Sequence, residues 1–143
     1  MVVYDEDKLR SLEGTFYLIP YESGLYALGQ VARGGDLAIF KMLTDDALII
    51  PEPLPDILFR VHYTASSVRK FKWIAIGHRP LAGRLAEPSE YRYDEIGTNQ
   101  CFKMVDGSDD QEVPCDTVAH LEKLASWDNS HIIERVRDWV NKS

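Results

Sequence analysis

The sequence predicts an α+β fold: mainly antiparallel β-structure, as a strongly bent sheet or partly open barrel, closed by two short C-terminal helices. Three observations predict it. From residue 12 to 115 the apolar and aromatic residues come in short runs, many of them alternating with polar ones, which is the period of a half-buried strand. Glycine and proline punctuate those runs at hairpin-like intervals. After residue 115 the apolar spacing changes to the three-and-four pattern of a helix, and helices gathered at one end of a strand-rich body are an α+β arrangement, not an alternating one.

The elements follow in order. Residues 1–11 are charged and expected to be loosely held. Thr15-Phe16-Tyr17-Leu18-Ile19 is rich in β-branched and aromatic residues and is closed by Pro20. Glu22-Ser23-Gly24 reads as a turn into a second strand, Leu25–Arg33, in which Gly29 marks a bulge or a close backbone approach. Gly34-Gly35 leads into a third strand, Asp36–Leu43. Two glycines suit a tight hairpin, because both central positions of a type I′ turn need positive φ. Pro51, Pro53 and Pro55 cannot donate to a ladder, so that stretch is a connector.

Asp56–Thr64 alternates, with Ile57, Phe59, Val61 and Tyr63 on one face and Leu58, Arg60 and His62 on the other. After a polar turn at Ser66-Ser67, Lys70–Gly77 alternates and then turns apolar on both faces, as a central strand would. Residues 79–90 read as a loop. Tyr91–Val105 holds one or two strands, the better over Asn99–Val105, and Glu112–Cys115 returns antiparallel after a turn at 106–110. Val118, Leu121 and Ala125 predict a helix over Asp116–Ala125. A second helix runs from about Ser130 to Asn141, capped by Asp128 or Ser130 and buried through Ile132, Ile133, Val136, Trp139 and Val140. Trp127 lies between the two. The whole, 1–143, reads as a single domain with a β-rich body (12–115) and a helical closure (116–142).

The 143 residues are enough for one self-sufficient core without a metal or disulfide staple. The net charge of −7 repels phosphate backbones and would steer a basic partner toward the surface. Simple solubility is the commoner reason for such a balance. Cys101 and Cys115 lack the density of a secreted scaffold and the CxxC spacing of a zinc or redox site. No leader sequence and no run of about 18 apolar residues is visible, so a cytoplasmic location is the default and no membrane is involved.

Motifs for chemistry are missing. His62, His78, His120 and His131 have no metal-ligand spacing. Gly34-Gly35 is too short to cradle phosphate, and Asp106-Gly107-Ser108-Asp109-Asp110 lacks the spacing of a calcium loop, so a hydrated turn is favoured there. Arg69-Lys70-Phe71-Lys72-Trp73 interleaves bases and aromatics, but on a strand the lysines would share one face and the rings the other, as in an ordinary half-buried strand. Glu134 and Asp138 share a helix face beside Arg135 and Arg137 and read as a solvated surface. No catalytic, cofactor-binding or metal-binding residue is assigned, and the chain is read as a binding protein.

Two blocks of sequence resemble the immunity protein 26 family of bacterial polymorphic toxin systems. The first is Gly14–Pro20 followed by Gly24–Val31. The second is Leu121–Asp128 with His131-Ile132-Ile133-Glu134-Arg135-Val136-Arg137-Asp138, and Trp73–Leu81 fits a block between them. The likeness spans about residues 12 to 141 in order and is poor over 87–112. It implies neutralisation of a cognate toxin by direct binding, without a cofactor. A small β-barrel-like module that binds a small molecule or peptide is the alternative. Interfaces combine aromatic anchors with a polar rim, which makes Glu87, Glu90, Tyr91, Tyr93, Asp94 and Glu95 the partner-binding candidates, the tyrosines as exposed anchors.

Overall fold

In a computed structural model, residues 12–88, 90–94, 100–105, 111–123 and 126–142 are described, with backbone alone at 93, 94, 123 and 126. The N-terminal segment 1–11 and the 106–110 turn lie outside them. Strands β1 (Thr15–Pro20), β2 (Tyr26–Val31), β3 (Leu37–Thr44) and β4 (Ile57–Tyr63) form an antiparallel meander. Strand β5 (Ile74–His78) returns to pair antiparallel with β1. The two-residue β10 (Ser126–Trp127) adds parallel to β4, giving the order β10-β4-β3-β2-β1-β5.

The hairpins differ from expectation in an instructive way. Between β1 and β2, the Leu25 amide donates to the Glu22 carbonyl at 2.9 Å, and Ser23 and Gly24 have φ of 54° and 77°. Positive φ at both central positions is the signature of a type I′ turn, so that turn lies here rather than at Gly34-Gly35. Between β2 and β3 the Gly35 amide donates to Ala32 at 3.0 Å and the Ala32 amide to Asp36 at 2.8 Å. Arg33 and Gly34 are therefore central, and positive φ falls on Gly34 (92°) and Gly35 (90°). Both readings of Gly29 hold. The β2–β3 register shifts between Ala27 and Gly29, and a Cβ at Gly29 would meet the Leu37 and Ile39 methyls at 3.1 Å and the Ala38 carbonyl at 3.2 Å.

Both faces of the meander are buried. On one, Tyr17, Ile19, Ala27, Val31, Leu37, Ile39, Phe59, Val61 and Tyr63 pack with Trp73 and with Ile132, Ile133 and Val136 of helix α2 (Asn129–Lys142). Burial raises the Tyr17 phenol pKa there. On the other, Phe16, Leu18, Leu28, Ala32, Ala38 and Phe40 pack with Leu85 from a 3₁₀ turn (Gly83–Ala86) and with loop residues such as Leu48, Ile50 and Leu54. Of the stripe predicted for the last helix, Ile132, Ile133 and Val136 are buried and Val140 packs against them, whereas Trp139 is half-buried. Its N-terminus is capped by Asp128, which accepts from the His131 amide at 3.1 Å and the Ser130 hydroxyl at 2.7 Å. Those two bonds, the Ser130 hydroxyl foremost, hold the Asp128 pKa below the usual carboxylate range.

Three predicted elements change. The polar turn at Ser66-Ser67 and the leading part of the next strand are a short helix, α1 (Ala65–Lys70), capped by the Thr64 hydroxyl. Lys70 and Lys72 therefore do not share a strand face: Phe71 is the C-cap residue, and Lys72 has φ of 57°. Strand β5 is an edge, not a central strand, because α1 delivers Trp73 rather than Ile74 into the core. Trp73 stacks on Tyr63 at 5.7 Å and meets Tyr17 edge-on at 5.9 Å. These contacts draw the end of β4 toward the start of β5, at opposite ends of the five-strand order, so the sheet bends strongly without closing.

The third change is the helix expected over Asp116–Ala125. A 3₁₀ turn (Cys115–Thr117) and the short strand β9 (Glu122–Lys123) occupy that stretch, with β10 following. Hydrogen bonds from Thr117 to Pro114 and from Leu121 to Val118 are three-residue turns, and β9 pairs parallel with β6 (Glu90–Asp94). Tertiary pairing thus overrides the apolar spacing. Strands β6, β7 (Cys101–Val105) and β8 (Gln111–Val113) pair antiparallel, giving a second sheet of order β8-β7-β6-β9. A disulfide joins Cys101 to Cys115, although the pair lacks the density of a secreted disulfide scaffold. No helix among the described residues is long and apolar enough to cross a membrane.

Candidate functional site

The predicted partner-binding residues fall in and around β6. Glu87 and Glu90 are exposed, and Glu90 meets Lys103 of β7 at 3.2 Å. Tyr91 corrects the expectation of an exposed anchor, because its side chain is only 2% exposed. Pairing with β7 and β9 turns it inward, where its hydroxyl donates to Asp36 Oδ2 at 2.6 Å and its ring lies 4.6 Å from that of His62. Tyr93 and Asp94 belong to β6 by backbone, and Glu95 lies outside the described residues.

Beneath this edge lies a polar knot the sequence did not reveal. Asp36, at the end of the β2–β3 hairpin, is 3% exposed. Arg60, on the outward face of β4, grips both its oxygens, Nε to Oδ2 at 2.9 Å and Nη2 to Oδ1 at 3.0 Å. A planar two-pronged pair of this kind fixes direction as well as distance. The other guanidinium hydrogens reach the carbonyls of Arg84 and Glu87 at 2.9 Å and of Arg33 at 3.3 Å. One side chain thereby ties the hairpin, the 83–87 turn and, through Asp36 and Tyr91, the small sheet. Its only sign in the sequence is an arginine in mid-strand on a face predicted to be polar.

A second cluster joins α2 to β4. Arg135 makes a two-pronged contact with Glu122 (2.9 and 2.5 Å), and its guanidinium lies 4.5 Å from the Phe59 ring centroid and 5.4 Å from that of Trp127. Trp127 also packs on Phe59 at 5.9 Å. It therefore joins β10 to the core instead of pinning two helices. Glu134 and Asp138 are exposed, as predicted. Beside this cluster a cleft of about 570 Å³ is lined by Leu58, Arg135, Asp138, Trp139 and Lys142. Another, of about 410 Å³, lies against the disulfide and is lined by Gln100, Glu112, Val113 and Pro114 with the two cysteines.

The histidines are scattered. His78 contacts the Glu13 carbonyl at 2.9 Å, and His131 Nδ1 lies 3.2 Å from Asp128. Among the described residues, no group of three or more His, Cys, Asp or Glu is placed to hold a metal ion. What the described residues present is a mixed-charge surface tied together by the Arg60 and Arg135 contacts. No family model, curated protein or solved structure matches the chain.

Proposed function

We propose that the protein neutralises a cognate bacterial toxin by binding it directly, without a reaction of its own. The reading rests on the resemblance to the immunity protein 26 family. The observation that supports it is where the two resembling blocks lie in space. Tyr17, Ile19, Ala27 and Val31 from the first pack in one core with Ile132, Ile133 and Val136 from the second. Segments about a hundred residues apart thus act as one unit, as expected of blocks that share a fold.

The proposed contact surface is the acidic edge around Glu87 and Glu90. The Glu87 carbonyl is held by Arg60 and the neighbouring Tyr91 by Asp36. Such fixing lowers the entropy cost of docking, and exposed carboxylates speed the approach of a basic partner. A cytoplasmic site of action belongs to the same proposal. The Cys101–Cys115 disulfide is the feature that argues against it, since disulfides persist mainly in oxidising compartments.

Co-expression with the toxin encoded beside the gene tests the function: growth should be rescued and the two proteins should co-purify. Failure of rescue with every neighbouring toxin overturns the proposal. Glu87→Lys with Glu90→Lys tests the surface separately. Association should slow at least tenfold at low salt, and an unchanged on-rate moves the interface elsewhere while leaving rescue intact.

A further inference from the structure

Charge is segregated along this chain in a way its net value conceals. Residues 57–86 contain six arginines and lysines and no aspartate or glutamate, leaving 10 of the 16 basic residues and all 23 acidic ones to the rest. Arg60 of that set is committed to Asp36. Arg69, Lys70 and Lys72 are exposed at the N-terminal end of β5; at its other end the Arg79 guanidinium is held by the Pro51 and Ile50 carbonyls at 2.7 and 2.9 Å.

Among the described strands, β5 is also an edge. It pairs with β1 on one side, and no strand among the described residues pairs with the other. The inner side is firmly held: the Arg79 amide donates to the Gly14 carbonyl at 3.1 Å, and the buried Gln30 amide reaches the Gly14 and Arg79 carbonyls at 3.2 and 3.4 Å. Every β5 residue is exposed or half-buried, and Ile74 and Phe71 are 40% and 38% exposed. Edges are usually blunted by a charge or proline on the strand itself. Here Ile74-Ala75-Ile76-Gly77 carries neither, its one irregularity being the register shift opposite Phe16 and Tyr17, and the exposed bases stand at its N-terminal end.

We propose that the outer edge of β5 receives an extended acidic segment of a partner protein, added as a further strand. This goes beyond the toxin reading and does not depend on it. Main-chain bonds along Ile74–Gly77 supply affinity, Ile74 and Phe71 give apolar contact, and Arg69, Lys70 and Lys72 select carboxylates. A second copy of the chain fits poorly. Antiparallel β5–β5 pairing would set Lys72 of one copy near His78 and Arg79 of the other, where like charges oppose it.

The test uses the full-length protein and three probes: a nine-residue peptide of alternating Glu and Val, the same peptide with alternate backbone nitrogens methylated, and a fluorescent single-stranded oligonucleotide. The acidic peptide should bind, weaken at least tenfold between low and high salt, and slow amide exchange in Ile74–Gly77. Methylation should abolish binding. The triple variant Arg69→Glu, Lys70→Glu, Lys72→Glu, checked for folding by circular dichroism, should lose the peptide at least tenfold. Four results overturn the proposal: equal binding of the methylated peptide, no change at β5 amides, tighter binding of the oligonucleotide, or a concentration-dependent dimer that protects β5. A fifth concerns the chain's own Asp5, Glu6 and Asp7. If changing them to Asn, Gln and Asn raises peptide affinity tenfold, that segment is the native occupant and the partner is not needed.

Discussion

In the large sheet, β1 to β3 bury side chains on both faces, from Phe16 and Leu18 on one side to Ile19 and Ile39 on the other. In the small sheet, Tyr91 and Cys101 are the buried residues among those of β6 to β8 whose side chains are described. The first region is held by apolar area, with many contributors and no single decisive one. The second is held by a few specific ties: the Tyr91–Asp36–Arg60 knot, the β9 pairing and the Cys101–Cys115 bridge. The difference shows how a small, thin sheet is kept in place when it cannot build a core of its own. It also implies that single substitutions should act globally in one region and locally in the other.

Asp36→Ala should give the largest effect. It takes the carboxylate away from a nearly buried guanidinium and from the Tyr91 hydroxyl, a loss of about 3–5 kcal/mol by the cost of breaking a buried pair. Urea unfolding measures it, and a loss below about 1 kcal/mol would demote the knot to a surface pair. Ile132→Ala, which empties a site 0% exposed beneath α2, should cost about 3 kcal/mol. All spectroscopic probes should then shift together, whereas separate transitions would break the picture of one continuous core. Replacing Cys101 and Cys115 by Ser should cost about 2–3 kcal/mol for a loop of this length. Amide exchange should speed in β7 and β8 and stay unchanged in β1 to β3; uniform acceleration would merge the two regions.

The smallest effect is at Asp128. Its folded pKa lies below the unfolded one, so the cap's contribution is full above about pH 4 and fades as pH falls through the lower, folded value. Asp128→Ala should therefore lower Tm slightly at neutral pH, and its difference from the parent should vanish in acid. A difference that persists at low pH would show that the carboxylate charge is irrelevant to α2.

Legibility followed the distance between partners. The β4 alternation and the stripe through Ile132, Ile133 and Val136 could be read because each is a periodicity within one element. The α1 turn was missed because Ala65–Lys70 carries one apolar side chain of any size, Val68, and owes its start to the Thr64 cap. Strand β5 read as central because its apolar text cannot say whether a second neighbour will arrive. Tyr91 read as exposed because Glu90-Tyr91-Arg92-Tyr93-Asp94 has the composition of a surface, while its acceptor Asp36 lies 55 residues away. The disulfide was missed for the same reason: the spacing of Cys101 and Cys115 says nothing until β7 and β8 pair.

The placement of α2 against the meander has a consequence for biosynthesis. Strand β4 ends at Tyr63 and α2 begins at Asn129, so roughly seventy residues must be added after the meander emerges. At about 5–20 residues per second this takes about 4–14 seconds. Throughout that interval the face bearing Ile19, Val31, Ile39 and Val61 has no helix to cover it. A nascent chain in this state exposes a broad apolar surface to chaperones and to its neighbours on the polysome. The fold's reliance on α2 is thus also a timing problem, one that lasts until that helix is made.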